Sequence, residues 1–330
     1  MPMLSAQFNL EISSPCLLSW PDEENPSFVV PFNDFQITGA LLSGKYWGSK
    51  AKDEVIWTRG LNRLDLTVSR DEPDPPPDVI ITSDGRRDLT VLGQYLSLKL
   101  PHYQAAALEI TNRVLRFFQY SLSTPLVRLL PSWNPALQNP RWFDVNYQEL
   151  RGGLLFVIPP VPGLHGELGA KTLSPAELPA LQSFIETPTD PSLAVTLLSD
   201  AQTAWFEGSL RRSVLELAIC TEVLVKRRFF AQASPAGAAF DYLEDKGKIS
   251  VRVLDLLDAV AEEAFTRSYK KQELGNYQNI DYLFRCRNKI AHRGELSFRD
   301  DSGRTVSVDA PLVEAWWHAV VNLKEWLDAL

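Results

Sequence analysis

The chain has 330 residues, of which 45% are apolar and 22% charged, so it can supply one large or two medium hydrophobic cores. This composition excludes a disordered or collagen-like chain. The net charge of −8 excludes a protein that coats nucleic acid through bulk positive charge, but it is compatible with a local basic groove.

Residues 1–186 predict an α+β domain, because strand-like and helix-like patterns alternate there and most prolines lie in this part. The strand-like runs are residues 27–30, 35–39, 64–68 and 154–158. Over residues 103–120, apolar side chains recur every three or four positions, which predicts a helix with one buried face. The sequence Ser174-Pro175-Ala176-Glu177 predicts the capped start of another helix.

A proline-rich segment at residues 71–78 predicts a stiff surface loop, because proline lacks a backbone donor and the neighbouring carboxylates repel one another. His102 is expected in a proline-bounded turn and His165 in a glycine-rich loop. Neither has a second ligand or a nucleophile at working spacing, so we expect neither to be functional. By analogy with chains in which one domain precedes an effector-like helical part, we expect this N-terminal domain to act as a sensor or regulator.

Residues 187–330 predict an all-α bundle, with the proline-containing segment 187–191 as the domain boundary. The first helix is expected to start at Asp190-Pro191 and the second at Leu210. Later helices are expected at residues 251–265, at 277–291 and from Asp309 onward. Two short runs, residues 296–299 and 305–308, predict a small β-hairpin before the last helix.

No stretch of about eighteen residues is apolar without a charge or a proline, and no basic segment precedes an apolar one at the start. We therefore expect a cytoplasmic protein without membrane contact. Cys16, Cys220 and Cys286 lack C-x-x-C spacing, which predicts free buried thiols rather than disulfides or a zinc site. No phosphate-binding glycine pattern follows a strand, so neither a nucleotide-hydrolysing core nor a Rossmann cofactor site is expected. Since the cysteines also lack zinc-site spacing, we expect no cofactor and no metal.

The residues from Arg285 to Arg293 form a basic cluster in an acidic chain: five of these nine are Arg, Lys or His, and none is acidic. On a helix, Arg285, Asn288 and His292 share one stripe, and Arg287 lies about 140° around the axis from His292. Gly294 then predicts a left-handed C-cap, which places His292 in the last turn. A titrating base, an amide and guanidinium groups are the components for attack of a ribose 2′-hydroxyl on the adjacent phosphate without a metal.

The run Arg287-Asn288-Lys289-Ile290-Ala291-His292 resembles the R-x(4 to 6)-H signature of HEPN domains, in which a polar residue follows the arginine. Residues 215–224, which include Glu222, are similar to the acid-bearing earlier helix of ApeA-like HEPN proteins. The resemblance covers roughly residues 190–330, about two-fifths of the chain. Arg285 also satisfies the longer spacing to His292, so which arginine faces the phosphate stays open.

This resemblance implies a metal-independent endoribonuclease, often from phage-defence or toxin systems. It implies a homodimer in which two motif helices form one composite cleft and RNA is the substrate. The matching catalytic positions are Arg287, Asn288 and His292. We also expect a regulatory ligand, a phage component or an antitoxin to act through the N-terminal domain.

A structural interpretation fits the same residues. The supporting cations Arg285, Lys289 and Arg293, together with Arg287, fit a solvated helix end that complements the helix dipole, and His292 fits a C-terminal cap. Glu222 fits a supporting role in which it pairs with a motif arginine.

Two further functions therefore stay open besides a constitutive ribonuclease. One is a non-catalytic HEPN module for dimerisation or partner binding. The other is a nuclease that is silent until the first domain binds a ligand or a phage component.

Residues 226–228 fit either a solvated face or part of an RNA track. Of Trp316 and Trp317, one is expected in the core and the other at a dimer surface.

Overall fold

The computed structural model describes residues 3–20, 24–51, 54–78, 80–83, 87–152, 172–230, 237–239, 242, 246 and 252–330, with only the backbone described at 44–51, 54–59, 80 and 87. The chain divides into two compact units, Met1–Asp190 and Pro191–Leu330. This division falls inside the segment 187–191. The predicted strand at 154–158 and His165 lie outside the described residues.

An antiparallel β-sheet forms the framework of the N-terminal unit. Its strands are β1 (Met3–Glu11), β2 (Leu17–Ser19), β3 (Ser27–Phe32), β4 (Phe35–Ala51), β5 (Glu54–Asp71), β8 (Arg141–Phe143) and β9 (Glu149–Arg151), while β6 (Ile80–Ile81) and β7 (Arg87–Asp88) pair separately. The order across the sheet is β3-β4-β5-β1-β8-β9, with β2 on β5. The predictions at 27–30, 35–39 and 64–68 are confirmed within β3, β4 and β5. β1 is absent from the predicted strands, although its alternate side chains are buried.

A long helix, α1 (Thr90–Arg116), continues as a π-helical turn (Phe117–Ser121) and shares one apolar core with the sheet. The prediction of a turn around His102 is wrong, because the helix runs through Pro101 and His102 is exposed on it. Leu92 and Leu96 extend the buried stripe ahead of the proline. Burying a leucine is worth about 1.5–3 kcal/mol, so two of them offset the cost of about 3 kcal/mol for proline inside a helix.

The described part of this unit also contains two shorter helices, α2 (Pro135–Gln138) and α3 (Leu178–Glu186). The capping contact predicted for α3 forms, since the backbone N–H of Ser174 donates to Glu177 Oε2 at 3.0 Å. The residues between them form a turn, so the helix begins at Leu178 instead of at Pro175.

The proline-rich segment differs from its prediction at Glu72. The prediction of a surface loop for all of 71–78 is wrong there, because the Glu72 side chain is fully buried. Its carboxylate accepts hydrogen bonds from Arg70, Lys99 and the Tyr103 hydroxyl, which replace the lost water. Attraction of the Glu72 carboxylate to these three donors, rather than repulsion between neighbouring carboxylates, therefore determines the position of the Glu72 side chain.

The second unit is helical, with a β-hairpin before its last helix. Its elements are α4 (Leu193–Phe206), α5 (Leu210–Phe229), α6 (Val253–Asp255), a π-helical turn (Leu256–Val260), α7 (Ala261–Phe265), α8 (Tyr269–Gln272), α9 (Leu274–Arg293), β10 (Ser297–Arg299), β11 (Thr305–Ser307) and α10 (Ala310–Asp328). The hairpin and the last helix are confirmed, and the Asp309 carboxylate caps α10 by accepting from the Leu312 N–H at 3.1 Å. Ser192 rather than Asp190 caps α4, and the π-helical turn divides the helix predicted at 251–265.

Helices α4, α5, α9 and α10 contribute buried side chains to a shared core. Trp316 and Trp317 are both buried, so the prediction of one tryptophan at a dimer surface is wrong. The Trp317 indole directs its Nε1–H at the Leu198 carbonyl of α4 at 3.4 Å. The cysteines are free and buried as predicted, and burial raises the pKa of the Cys220 thiol to about 12. None of the described helices is long and apolar enough to span a membrane.

Candidate active site at the end of helix α9

Helix α9 presents the motif residues because its opposite face is anchored in the core. Ile280, Leu283, Cys286 and Ile290 are buried at steps of three and four residues. The helix ends at Gly294, which has a φ of 67° and donates its N–H to the Ile290 carbonyl at 2.9 Å. This is the left-handed cap that the sequence predicted. As a result, the exposed His292 lies in the last turn, next to the helix end.

Arg287 links α9 to α5. Its Nη2 lies 3.7 Å from Glu222 Oε1, and its Nη1 donates to Asn288 Oδ1 at 3.2 Å. The distance to Glu222 is longer than a charge-assisted hydrogen bond, so the pair attracts without a tight contact. Glu222 therefore holds the guanidinium loosely, and Asn288 steadies it from the same helix.

Arg285 is directed away from this group and fastens the hairpin to α9. Its guanidinium contacts Asp281 one turn earlier, lies 2.9 Å from Asp301 Oδ1 and donates to the Arg299 carbonyl at 3.1 Å. It also lies over the Tyr282 ring, 5.3 Å from the centroid. Hydrogen bonds to Asp281 and Asp301 raise the pKa of Arg285. Although Arg285 shares a helical stripe with His292, its side chain is occupied by structural partners.

The sequence pattern indicated only half of that arrangement. An acid four residues before an arginine on one helix is a recognisable pairing signal, and Asp281 has that spacing to Arg285. Asp301 lies in the hairpin loop, and no local pattern connects it with the motif.

The remaining cationic side chains of this cluster differ in how many contacts they form with other residues. Lys289 Nζ donates to Ser297 Oγ at 3.2 Å and lies 3.7 Å from Glu295 Oε2, so it binds the start of the hairpin. His292 and Arg293 are exposed, and neither side chain forms a hydrogen bond or an ion pair with another described residue. The imidazole and one guanidinium at the helix end are thus open to a ligand.

The cationic run 226–228 at the end of α5 does not form one uniform surface. Arg228 lies over the Phe265 ring at 5.3 Å from its centroid, which is a packing contact, while Arg227 is exposed. A continuous RNA track over these three residues therefore has no support from their contacts.

Helix geometry separates the base from the arginine within one copy of the chain. Five positions along a helix correspond to about 7.5 Å of rise and about 140° of rotation. Arg287 and His292 consequently leave the helix in different directions. An anion held between them needs either a long reach from the arginine or a second copy of the helix.

Comparison with protein-family models, with curated proteins and with solved structures found no match to this chain. Within the described part of the chain, no group of three or more His, Cys, Asp or Glu side chains is placed to hold a metal ion. Function is therefore inferred from the residues at the end of α9 and their chemistry.

Proposed function

We propose that this protein is a HEPN-type endoribonuclease that cleaves RNA without a metal, as a homodimeric defence or toxin effector. One observation carries the proposal. The exposed imidazole of His292, which has no partner among the described residues, lies in the last turn of α9. The same helix carries Arg287 and Asn288, which contact each other, and Arg287 also lies near Glu222 of α5. These are the parts that acid–base cleavage of RNA needs. The exposure of the ring leaves it accessible to a substrate.

The reaction follows from the roles these groups can take. His292 accepts the proton of a ribose 2′-hydroxyl while its oxygen attacks the adjacent phosphorus. Arg287 stabilises the negative charge of the phosphorane, and Asn288 orients the guanidinium. The 5′-oxygen then leaves and takes up a proton, so that the products are a 2′,3′-cyclic phosphate and a 5′-hydroxyl.

A second copy of the chain completes the site in this proposal. Because Arg287 and His292 diverge on one helix, two motif helices in contact bring the imidazole of one copy towards the arginine of the other. The second imidazole then serves as the acid that protonates the leaving oxygen. This arrangement requires both copies for cleavage.

The test incubates the purified full-length chain with RNA in EDTA and compares His292→Ala with His318→Ala. His318 is the matched control, because it is also exposed in the helical unit, where its ring packs 5.2 Å from that of Trp317. We expect His292→Ala to slow cleavage by about 10²- to 10⁴-fold and His318→Ala to leave it unchanged. Cleavage that needs a metal, or that survives His292→Ala, removes the proposal.

A non-catalytic partner-binding module is the second candidate, and one feature favours it. Ile219 lies one turn before Glu222 on α5 and is 43% exposed, so an apolar side chain adjoins the charged group. Such a mixed surface fits a protein partner as well as RNA. Loss of association in Arg287→Ala, without cleavage of any RNA by the parent chain, would favour this function.

A further inference from the structure

The N-terminal unit contains a groove between the start of α1 and the edge strand β9. Two cavities of about 780 and 330 Å³ adjoin here, and both have Ser97 and Arg151 in their walls. The larger cavity is lined mostly by the first turns of α1. The smaller one extends to Trp142 and to the end of α2. Cavities of this size are in the range that small molecules occupy.

The sheet register directs Arg151 towards this groove. Arg151 is the ladder partner of Trp142, and directly opposed residues in an antiparallel pair project on the same face. Trp142 faces α1, because its ring meets Tyr103 edge-on at 5.1 Å. Arg151 therefore projects on the α1 side of the sheet. β9 is the last of the described strands in the order, and the Arg151 side chain is exposed.

Arg151 differs from the other arginine of this sheet edge in its charge balance. Arg141 has a partner, Glu149, at 2.7 Å, and the hydrogen bond between them raises the pKa of Arg141. Arg151 forms no hydrogen bond or ion pair with another described residue. The described residues that line the two cavities also include no acid. One positive charge therefore stands in the groove without a counterion among the residues that the structure describes.

The rest of the lining combines apolar and hydrogen-bonding groups. Leu89, Leu98 and Leu100 supply apolar surface, and Ser97, Gln138 and Asn139 supply a hydroxyl and two amides. We infer that this groove binds a small organic anion, whose carboxylate, sulfonate or phosphate group pairs with Arg151 and whose apolar body lies on the leucines. An organic anion satisfies both the charge and the apolar surface, which an inorganic ion does not. This inference does not depend on RNA cleavage.

The probe is 8-anilinonaphthalene-1-sulfonate, which joins an aromatic body to one anionic group and fluoresces when an apolar surface covers it. The full-length chain is titrated with it, next to Arg151→Gln and the matched control Arg141→Gln. We expect one saturable site whose affinity falls about tenfold to a hundredfold in Arg151→Gln, because a charge-assisted contact is lost. Arg141→Gln is expected to bind as the parent does.

Two further measurements separate the groove from general apolar binding. The uncharged analogue N-phenyl-1-naphthylamine is expected to bind the parent and Arg151→Gln equally. Ser97→Trp, an exposed helical position in the wall common to both cavities, is expected to abolish binding of both probes while circular dichroism stays unchanged. Equal affinity of the sulfonate for the parent and Arg151→Gln, undiminished binding by Ser97→Trp, or the absence of a saturable site overturns the inference.

Discussion

The two units each contain a charge cluster built from similar side chains in different surroundings. In the N-terminal unit, the Glu72 side chain is fully buried and lies 2.7 Å from Arg70 and 2.6 Å from Lys99. In the helical unit, Glu222 and Arg287 are 32% and 35% exposed and lie 3.7 Å apart. The buried carboxylate is saturated by close donors. The half-buried pair leaves part of its guanidinium facing solvent.

This difference shows how burial separates an ion pair that stabilises the fold from one that can change at little cost to the fold. A buried charge that loses its partners cannot recover water, so the close donors to Glu72 are expected to stabilise the fold strongly. An exposed pair contributes only about 0–1 kcal/mol to stability, because water competes with each contact. Arg287 can therefore be selected for ligand binding with little loss of unfolding free energy, whereas Arg70 serves as the partner of the buried Glu72 carboxylate.

The largest expected effect is the loss of stability in Glu72→Ala. This substitution leaves Arg70 and Lys99 without their shared carboxylate, and breaking a buried pair costs about 3–5 kcal/mol. Hydrogen–deuterium exchange of peptides from β1, β5 and α1 measures it within the unit. Asp34→Ala is the matched control, because Asp34 also pairs with Arg70, at 2.8 Å, but is 60% exposed. A loss of stability in Glu72→Ala as small as in Asp34→Ala would contradict the structural role of burial.

The second effect is catalytic and tests the exposed cluster. Arg287→Ala is expected to reduce RNA cleavage about 10²- to 10³-fold, as loss of one charge-stabilising donor does, and to change the unfolding free energy by no more than about 1 kcal/mol. Arg285→Ala is the matched comparison. It is expected to loosen the hairpin while cleavage falls less than about tenfold. If Arg285→Ala proves the more damaging to cleavage, Arg285 is the arginine that meets the phosphate.

The third effect is the acid dependence that the buried cluster contributes. Burial raises the pKa of Glu72, but hydrogen bonds from its three partners outweigh burial and lower the pKa below the ordinary 4.5. The unfolded chain therefore takes up the proton first as the pH falls. Stability is full above the ordinary pKa and is lost as the pH falls through the folded value. Exchange protection factors, measured from pH 6 down to about pH 3, are expected to fall less steeply in Glu72→Gln, since Gln does not titrate.

Local sequence signals predicted much of the helical unit. Gly294, Asp309 and the alternation in the hairpin are signals that act within one turn or one strand, so the helix ends and the hairpin followed from them. In the N-terminal unit the same approach misplaced the start of α1. A proline at position 101 indicates a break, and only the burial of Leu92 and Leu96 against the sheet reveals that the helix continues.

The candidate site was predictable in its residues but not in its contacts. Spacing identified Arg287, Asn288 and His292 on one helix and offered Arg285 as an alternative. The contacts of the Arg285 side chain depend on Asp301, which is distant in sequence and reaches Arg285 only when the hairpin folds back on α9. The burial of Glu72 has the same origin, because Lys99 and Tyr103 come from another element. Contacts of this kind depend on tertiary packing, which local periodicity does not encode.

The smallest expected effect concerns Glu222, where two consequences of one substitution oppose each other. Glu222→Gln removes the charge that partly neutralises Arg287, so the guanidinium attracts phosphate more strongly and KM falls. It also removes the contact that restrains the arginine, so kcat falls with it. Each change is expected to stay within about fivefold, since an exposed pair at this distance is worth about 0.2–1 kcal/mol. Steady-state cleavage kinetics separate the two parameters, and a fall of kcat beyond about a hundredfold would instead assign Glu222 a direct part in proton transfer.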